Sequence, residues 1–339
     1  MSNSFTLSSS SIFQLVVERS VITVFKPHHI SLLTGNANAN AHFYIQILGL
    51  RIVKNSVNQE ATHIRHLYYG NNLGEPGSVV TFFVLDQLGH RQDANHGLNG
   101  IRLGIPEQQI DFWLNRFMQF NVPVSQTQAG LHVTDPDGVA LDLIPVNQQL
   151  TAKQVVPNDV PANAQITGLL GTTIAYVDPV LTAHFYQEWL GLSLDPSKTT
   201  IPLLGEQAGL VFQAATDPAH RSRMGRGSVD HVALQVPDLN TLFDYYQRAI
   251  NLGANVELYR DRGWFQSIYV RDPSDNRIEL ATITPGFALE EPADIMGQQL
   301  SLPPLFADQT KTIAQWYAQR GVKFDEAARF EHGGQPVSN

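Results

Sequence analysis

The chain has 339 residues, of which 43% are hydrophobic and 16% charged, and its formal net charge is −9 at pH 7. These values are typical of a folded protein with about two domains, and the negative charge argues against nucleic acid as a partner. No apolar run approaches the roughly 20 residues of a membrane helix, and the absence of cysteine excludes disulfides, thiolate metal sites and cysteine nucleophiles.

The first 24 residues predict a poorly ordered extension, with ordered protein from about Val24. They begin MSNSFTLSSSS, and Glu18 and Arg19 interrupt their apolar part. A secretory signal would need a basic first region, which is missing here. We therefore expect a cytoplasmic location and no membrane partner.

The stretch PHHISLLTG, residues 27–35, predicts a strand that begins with two adjacent histidines. Side chains alternate between the faces of a strand, so His29, Ser31 and Leu33 share one face, and His28 lies on the other. Only one of the two histidines can then face a given site.

Repeated motifs predict the order of the remaining elements. AHFY occurs twice, each time in a helical pattern that ends at Gly-Leu. Two weaker helices and two Asp-Pro hairpins are also repeated, at 106–120, 237–253, 130–145 and 266–282.

These repeats predict an α+β protein of four βαβββ modules, which start near residues 26, 98, 168 and 228. Paired modules would give two domains with curved mixed sheets and helices outside. The predicted divisions are an extension at 1–24, modules one and two at 25–150, a linker of low order at 151–165, modules three and four at 166–290, and a tail with one helix at 291–339.

Strand alternation in module four turns three polar side chains away from the helix. If Val232, Ile268 and Ile278 pack under the helix, His231, Tyr269 and Glu279 lie on the opposite, concave face, as His29 does in module one. Two imidazoles and one carboxylate form the facial triad of non-haem Fe(II), which leaves three positions for other ligands.

Glu279 also has a simpler explanation. A carboxylate between Ile278 and Leu280 is costly to bury without a cation, and that cation could be an arginine such as Arg262 or Arg277. Residue spacing leaves both alternatives open. Modules two and three offer only Asp142 at the position equivalent to Glu279, without a histidine partner, so we expect no metal in their cup.

From about residue 26 to residue 305, the chain resembles ring-cleaving dioxygenases of the glyoxalase, or vicinal oxygen chelate, superfamily. Within it, the chain is similar to the hydroquinone 1,2-dioxygenase group and its quinone-resistance relatives. The motifs that carry the resemblance are HHISLLTG, HFYIQILGLRIVKNSVN, HLYYGNNLGEPGSVVTFF, VDHVALQV, DRGWFQSIYVRDP, RIELAT and PGFALEEPADIMGQQLSLPP. The resemblance implies two glyoxalase-like domains and a site that joins modules one and four.

The resemblance also implies residue roles. His29, His231 and Glu279 would bind Fe(II), with Mn(II) as the other candidate, and Arg262 and Tyr269 would contact a phenolic substrate and stabilise its charge. His28 would lie behind the metal ligands or face the substrate and move a proton. Ser31 stands where a threonine is usual, and Asp230 replaces a usual histidine; both would bind substrate or orient a neighbouring side chain.

The implied activity is ring cleavage of a hydroquinone or catechol with insertion of both atoms of O2. One alternative is a glyoxalase-type isomerase or lyase, which usually needs a fourth protein ligand that GSVVTFFVL, residues 77–85, does not supply. The other is a non-catalytic protein that sequesters an aromatic compound and needs no triad. The expected partners are a small aromatic substrate and O2, and the sequence leaves open whether the chain forms a homo-oligomer.

Overall fold

A computed structural model describes residues 26–192, 200–202 and 209–331. The predicted extension at 1–24 lies outside the described residues. Modules one and two contain the strands β1 Pro27–Thr34, β2 Arg51–Val57, β3 Arg65–Gly70, β4 Val79–Val84, β5 Gly97–Pro106, β6 Val124–Thr127, β7 Gly130–Thr134 and β8 Ala140–Val146. Their helices are α1 Ala37–Ala41, which continues as a π-helix over His42–Ile47, and α2 Ile110–Gln119.

Module four follows the same order, whereas the described residues of module three include two strands after its helix. Their strands are β9 Gly168–Tyr176, β10 Thr200–Pro202, β11 Gly209–Ala214, β12 Val229–Val236, β13 Asn255–Asp261, β14 Gln266–Arg271 and β15 Arg277–Thr282, and their helices are α3 Pro179–Leu190 and α4 Leu239–Asn251. The helix α5 Thr310–Ala318 follows module four. The four modules begin within one residue of their predicted starts, which confirms the α+β class and the repeat.

The strands form one sheet in which modules pair across the sequence. The antiparallel pair β1 and β12 joins module one to module four, and β5 with β9 joins module two to module three. A single bridge between Val229 and Leu98 connects these two halves of the sheet. Hydrogen bonds within the sheet therefore cross the predicted division between 25–150 and 166–290, which stays a prediction.

The helices cover one face of the sheet, as strand alternation predicts. Val232, Leu234 and Val236 are fully buried in the main core together with Leu242 and Tyr245 of α4. The helical AHFY repeats end at Gly49 and Gly191, whose φ values of 71° and 72° are the left-handed conformation that glycine adopts most readily. This arrangement leaves the opposite face of the strands free to form a cup.

Residues 151–165 contain no helix or strand, yet some of them are well packed. Val156, Val160 and Ala164 are buried, and Gln165 bonds to both the N–H and the carbonyl group of Val156. Apolar residues in this linker therefore reach the core, while most of its other residues are exposed. Among the described residues, no helix is long and apolar enough to cross a membrane.

Each AHFY repeat contacts the Asp-Pro turn of the module that follows it. The hydroxyl of Tyr44 donates to Asp135 at 3.2 Å, and the hydroxyl of Tyr186 donates to Asp272 at 3.2 Å. Each helix is thus tied to the hairpin of the following module. Burial raises the pKa of Asp135 to about 7, although backbone N–H groups of Asp137 and Val139 favour its charged form.

The raised pKa of Asp135 predicts that stability falls as pH rises from about 4 to about 7. Over that range the folded state binds a proton that the unfolded chain, near the ordinary value of 3.8, has lost. Asp135→Asn keeps an oxygen acceptor for the two backbone N–H groups and cannot ionise. In urea unfolding, the free energy of unfolding of Asp135→Asn should decrease less between about pH 4 and about pH 8 than that of the wild type.

The matched control for this measurement is Asp244→Asn, which changes an exposed carboxylate on α4. It should keep the pH dependence of the wild type. An unchanged pH dependence in Asp135→Asn would contradict a protonated Asp135 in the folded protein.

Candidate metal centre and aromatic cup

Two β-bulges shape the strand pair at the centre of the site. Along β1 and β12, Pro27 pairs with Leu234 and His29 with Ala233, which leaves His28 as an extra residue. Further along, Ser31 pairs with His231 and Leu32 with Val229, so that Asp230 is the extra residue on β12. Each bulge residue comes directly before a histidine that faces the cup.

His29, His231 and Glu279 converge on one point. Nε2 of His29 lies 3.2 Å from Nε2 of His231, and Oε2 of Glu279 lies 3.2 and 2.9 Å from these two nitrogens. All three residues are buried, and among the described residues they are the one group of three or more His, Cys, Asp or Glu side chains close enough to bind a single ion. The structure thus brings together the three predicted ligands from modules one and four.

The hydrogen bonds of His28 determine which nitrogen of His29 carries hydrogen. Nε2 of His28 lies 3.2 Å from the carbonyl of Thr282, to which it must donate. Burial and the neighbouring His29 lower the pKa of His28 to about 3, so its ring is neutral and Nδ1 is an acceptor. Nδ1–H of His29 therefore donates to it at 2.9 Å, which leaves the Nε2 lone pair of His29 in the cup.

Asp230 likewise determines which nitrogen of His231 carries hydrogen. Its Oδ2 accepts a hydrogen bond from Nδ1 of His231 at 2.6 Å and another from Arg277 at 2.9 Å. Burial alone would raise the pKa of Asp230, but His231 and Arg277 hold it well below its usual range. Nε2 of a neutral His231 is then a second lone pair directed at Glu279.

The bulges also correct the predicted side-chain directions. Strict alternation placed His28 on the face opposite His29, and counted back from Val232 it also predicts Asp230 on the helix-facing side of β12. Because each is the extra residue of a bulge, the two side chains instead lie beside Nδ1 of the histidine that follows. Sequence periodicity does not reveal a bulge, so the error follows from the method of alternation.

The charge of Glu279 has no arginine partner among the residues that the structure describes. Arg262 and Arg277 instead pair with Glu60, Asp230 and Glu257. Burial alone would raise the pKa of Glu279, but the two imidazoles hold it well below its usual range. The arginine alternative from the sequence is therefore not what the structure contains.

The three groups fit a metal ion. When both imidazoles are neutral, a carboxylate and two lone pairs meet with no hydrogen atom between them, an arrangement that a cation stabilises. Three adjacent ligands on an octahedral ion with bonds of about 2.1 Å are about 3.0 Å apart, close to the separations seen here. Without an ion, a proton on His231 would take its place. Burial alone would lower the pKa of His231, but Glu279 and Asp230 raise this pKa above its ordinary value.

The cup beside these groups has a volume of about 200 Å³ and is lined by residues of modules one and four. A cavity of about 150 Å³ can hold benzene, so one aromatic ring fits. Nη2 of Arg262 donates to the hydroxyl of Tyr269 at 3.1 Å, and the guanidinium of Arg277 lies 4.4 Å from the centre of the Tyr269 ring. Phe265 packs against His29, with ring centres 5.4 Å apart.

Sequence reasoning missed the module-one wall of the cup. Ser31 was identified, but its partner Thr81 was not, and neither were His66 and Tyr68. These side chains form a chain of hydrogen bonds from Ser31 to Tyr68. Alternation within HLYYG, with Leu67 and Tyr69 in the core, was the signal that could have found them.

The strand register explains why module one contributes only one residue to the triad. Ser31 pairs with Thr81 on β4 as Ala233 pairs with Glu279 on β15, so Thr81 is the internal equivalent of Glu279. A threonine there cannot act as a fourth carboxylate ligand. This agrees with the absence of an acid in GSVVTFFVL.

The second cup contains a histidine that was not expected. Nδ1 of His132 lies 2.8 Å from Asp142, and both side chains are about 40% exposed, at 39% and 43%. The expectation that Asp142 has no histidine partner is therefore wrong. The described residues bring no third ligand to this pair.

Comparisons with known proteins agree with this fold. A model described as a glyoxalase-like domain matches residues 171–281. The chain is 30% identical over 296 residues to MhqO of Bacillus subtilis, which is named as a ring-cleaving dioxygenase, and the match covers 85% of this chain and 94% of MhqO. It is 28% identical over 300 residues to a chlorohydroquinone/hydroquinone 1,2-dioxygenase of Sphingobium indicum, with 82% and 91% of the two chains covered.

A solved structure also shares the fold over most of its length. It comes from Bacillus subtilis and is titled as a dioxygenase. Its TM-score is 0.76 at 28% identity, and the match covers 86% of this chain and 95% of the other. The four-module architecture is thus shared with an experimental structure.

Proposed function

We propose, from the premise that this chain belongs to the ring-cleaving dioxygenase family that includes MhqO, that it is a non-haem Fe(II) enzyme that cleaves hydroquinone-type aromatics with O2. The observation that carries the proposal is the convergence of two imidazole Nε2 atoms and a carboxylate oxygen at the base of a cup sized for one ring. Both atoms of O2 enter the ring-opened product.

His29, His231 and Glu279 would hold the metal. Fe(II) is our first choice and Mn(II) the second, since two imidazoles and one carboxylate suit both ions. When bound, the ion supplies adjacent positions for the ring oxygen and O2 and a path for electrons between them. His28 and Asp230 hold the two imidazoles with Nε2 towards the ion, as hydrogen-bond partners behind metal ligands commonly do.

Other residues of the chain bind the ring and control its charge. Arg262 is a fixed cation whose Nη2 donates to the Tyr269 hydroxyl, so the pair is positioned to stabilise a phenolate oxygen beside Glu279. Phe265 packs against the rings of His28 and His29 and keeps water away from them. Ser31 lies on the same face as His29 and holds Thr81 at 2.8 Å.

The geometry favours a positioning role for His28. The resemblance left open whether His28 lies behind the metal ligands or moves a proton for the substrate, and both of its ring nitrogens are engaged, with Thr282 and with His29. A ring held in this way fixes the orientation of His29 and has no free nitrogen for substrate. We therefore propose Arg262 and Tyr269 as the residues that contact the reacting ring.

Two other functions have less support. A glyoxalase-type isomerase or lyase would use a fourth ligand, and Thr81 stands at the equivalent place. A protein that only sequesters an aromatic compound would have no need for three buried, converging metal ligands. The sequestering alternative also does not account for the way in which His28 and Asp230 orient both imidazoles.

The test of the proposed function is oxygen uptake by protein loaded with iron in the absence of air. The metal-free protein receives Fe(II) or Mn(II), and uptake is measured with hydroquinone, substituted hydroquinones and catechol. We expect one equivalent of metal per chain, one O2 consumed per ring, and activity with hydroquinones. Stoichiometric metal binding without oxygen uptake on any ring would contradict the dioxygenase proposal.

A further inference from the structure

The module-one wall of the cup contains a continuous chain of hydrogen bonds that the proposed mechanism does not use. The hydroxyl of Tyr68 lies 2.7 Å from Nδ1 of His66, and Nε2 of His66 lies 2.8 Å from the hydroxyl of Thr81. Thr81 is in turn 2.8 Å from the hydroxyl of Ser31. All four residues are buried, and Ser31, His66 and Tyr68 line the cup.

Tyr68 is the internal counterpart of Tyr269. Tyr68 pairs with Thr81 on the neighbouring strand, as Tyr269 pairs with Glu279. The two tyrosines therefore lie on opposite halves of one cup, each two strands away from the corresponding histidine of β1 or β12. Tyr269 lies beside the proposed metal ligands, whereas Tyr68 lies on the wall without a carboxylate.

This series of hydrogen bonds can leave either an acceptor or a donor free on the Tyr68 hydroxyl. Burial holds the pKa of His66 well below its usual range, so its ring is neutral, with one nitrogen a donor and the other an acceptor. If Nδ1 accepts from Tyr68, the phenolic oxygen still has a free lone pair. If Nδ1 donates, the Tyr68 O–H is free, because the hydroxyls of Thr81 and Ser31 can rotate to suit.

The chemistry of a hydroquinone requires such a group. Its two hydroxyls lie at opposite ends of the ring, so one ion can bind only one of them, whereas both adjacent hydroxyls of a catechol can reach the same ion. A buried hydroxyl without a partner would weaken binding. On the module-four side, Arg262 already pairs with Tyr269 and Glu60, and Asp230 with His231 and Arg277.

We propose that the Tyr68 hydroxyl, positioned by His66, binds the substrate hydroxyl that the metal does not bind. This inference rests on the proposed function and adds a determinant of substrate class. Of these four residues, Tyr68 touches the substrate, and His66, Thr81 and Ser31 hold its hydroxyl in place. The cup then prefers rings with a second hydroxyl opposite the first.

The test compares Tyr68→Phe with Tyr69→Phe. The two residues are neighbours on β3, but Tyr69 faces the main core, and its hydroxyl has no hydrogen-bond partner among the described residues. In iron-loaded protein, Tyr68→Phe should lower kcat/KM for hydroquinone by about tenfold or more and change that for catechol by less than about threefold. Metal content should be unchanged, and Tyr69→Phe should behave as the wild type.

A binding measurement separates this inference from the proposed function. Calorimetry without air compares hydroquinone with 4-methylphenol, in which a methyl group replaces the second hydroxyl. The wild type and Tyr69→Phe should bind hydroquinone about tenfold more tightly, and Tyr68→Phe should lose that preference. If the wild type consumes no O2, the proposed function fails, while the binding preference still tests Tyr68. An undiminished preference in Tyr68→Phe would overturn the inference.

Discussion

Glu279→Gln should abolish metal binding and reduce ring cleavage by roughly 10³-fold or more, because the reaction depends on the bound ion. Glutamine has the same shape but no charge, so the two imidazole lone pairs lose their anionic partner at 2.9 and 3.2 Å. Metal per chain, measured after loading and gel filtration, should fall far below the value for the wild type. The variant should still fold.

Stability distinguishes loss of the metal site from general damage. In metal-free protein, the two histidines hold the pKa of Glu279 well below its usual range, so removal of its charge should lower the free energy of unfolding. Added Fe(II) should raise the Tm of the wild type and leave that of Glu279→Gln unchanged.

The matched control is Glu326→Gln. Glu326 is also fully buried, but it bonds to Asn55 and forms an ion pair with Arg65, away from the cup. This variant should lose stability, because Arg65 loses its charged partner, and should keep its metal. Full metal occupancy in Glu279→Gln would contradict the role of Glu279 as a ligand.

Sequence periodicity predicts the site where the strands are regular. His29, His231, Tyr269 and Glu279 all face the cup because the residue that follows each of them packs in the core. The same periodicity misplaces His28 and Asp230, since a bulge adds one residue and leaves no trace in the hydrophobic pattern. Regular alternation thus found the ligands and could not find the groups that orient them.

Two further features depend on contacts between distant segments. His66 and Tyr68 become part of the site only because β3 pairs with β4, which in turn pairs with β1. This places β3 opposite β14 of module four. The linker at 151–165 is packed because its few apolar side chains meet the core, which composition alone does not indicate. Local sequence predicts elements, whereas the pairing of modules across the chain decides which of them share a cup.

Asp230→Ala should weaken metal binding by about 10- to 100-fold, the usual cost of losing the group that orients a histidine ligand. Oδ2 of Asp230 lies 2.6 Å from Nδ1 of His231, and without it the ring can rotate or carry its hydrogen on Nε2, which blocks the metal. Asp142→Ala is the control, because it removes the partner of His132 at 2.8 Å in the second cup and should leave metal binding unchanged.

Asp230→His distinguishes orientation of the imidazole from a need for negative charge. It makes the bulge of β12 like that of β1, where Nδ1 of His28 accepts from Nδ1 of His29 at 2.9 Å. If orientation is what matters, competition with a chelator should give a metal affinity within a few-fold of the wild type for Asp230→His and the full loss for Asp230→Ala. Equal losses in both variants would mean that the carboxylate charge holds the ion, and equal affinity in Asp230→Ala would remove Asp230 from the site.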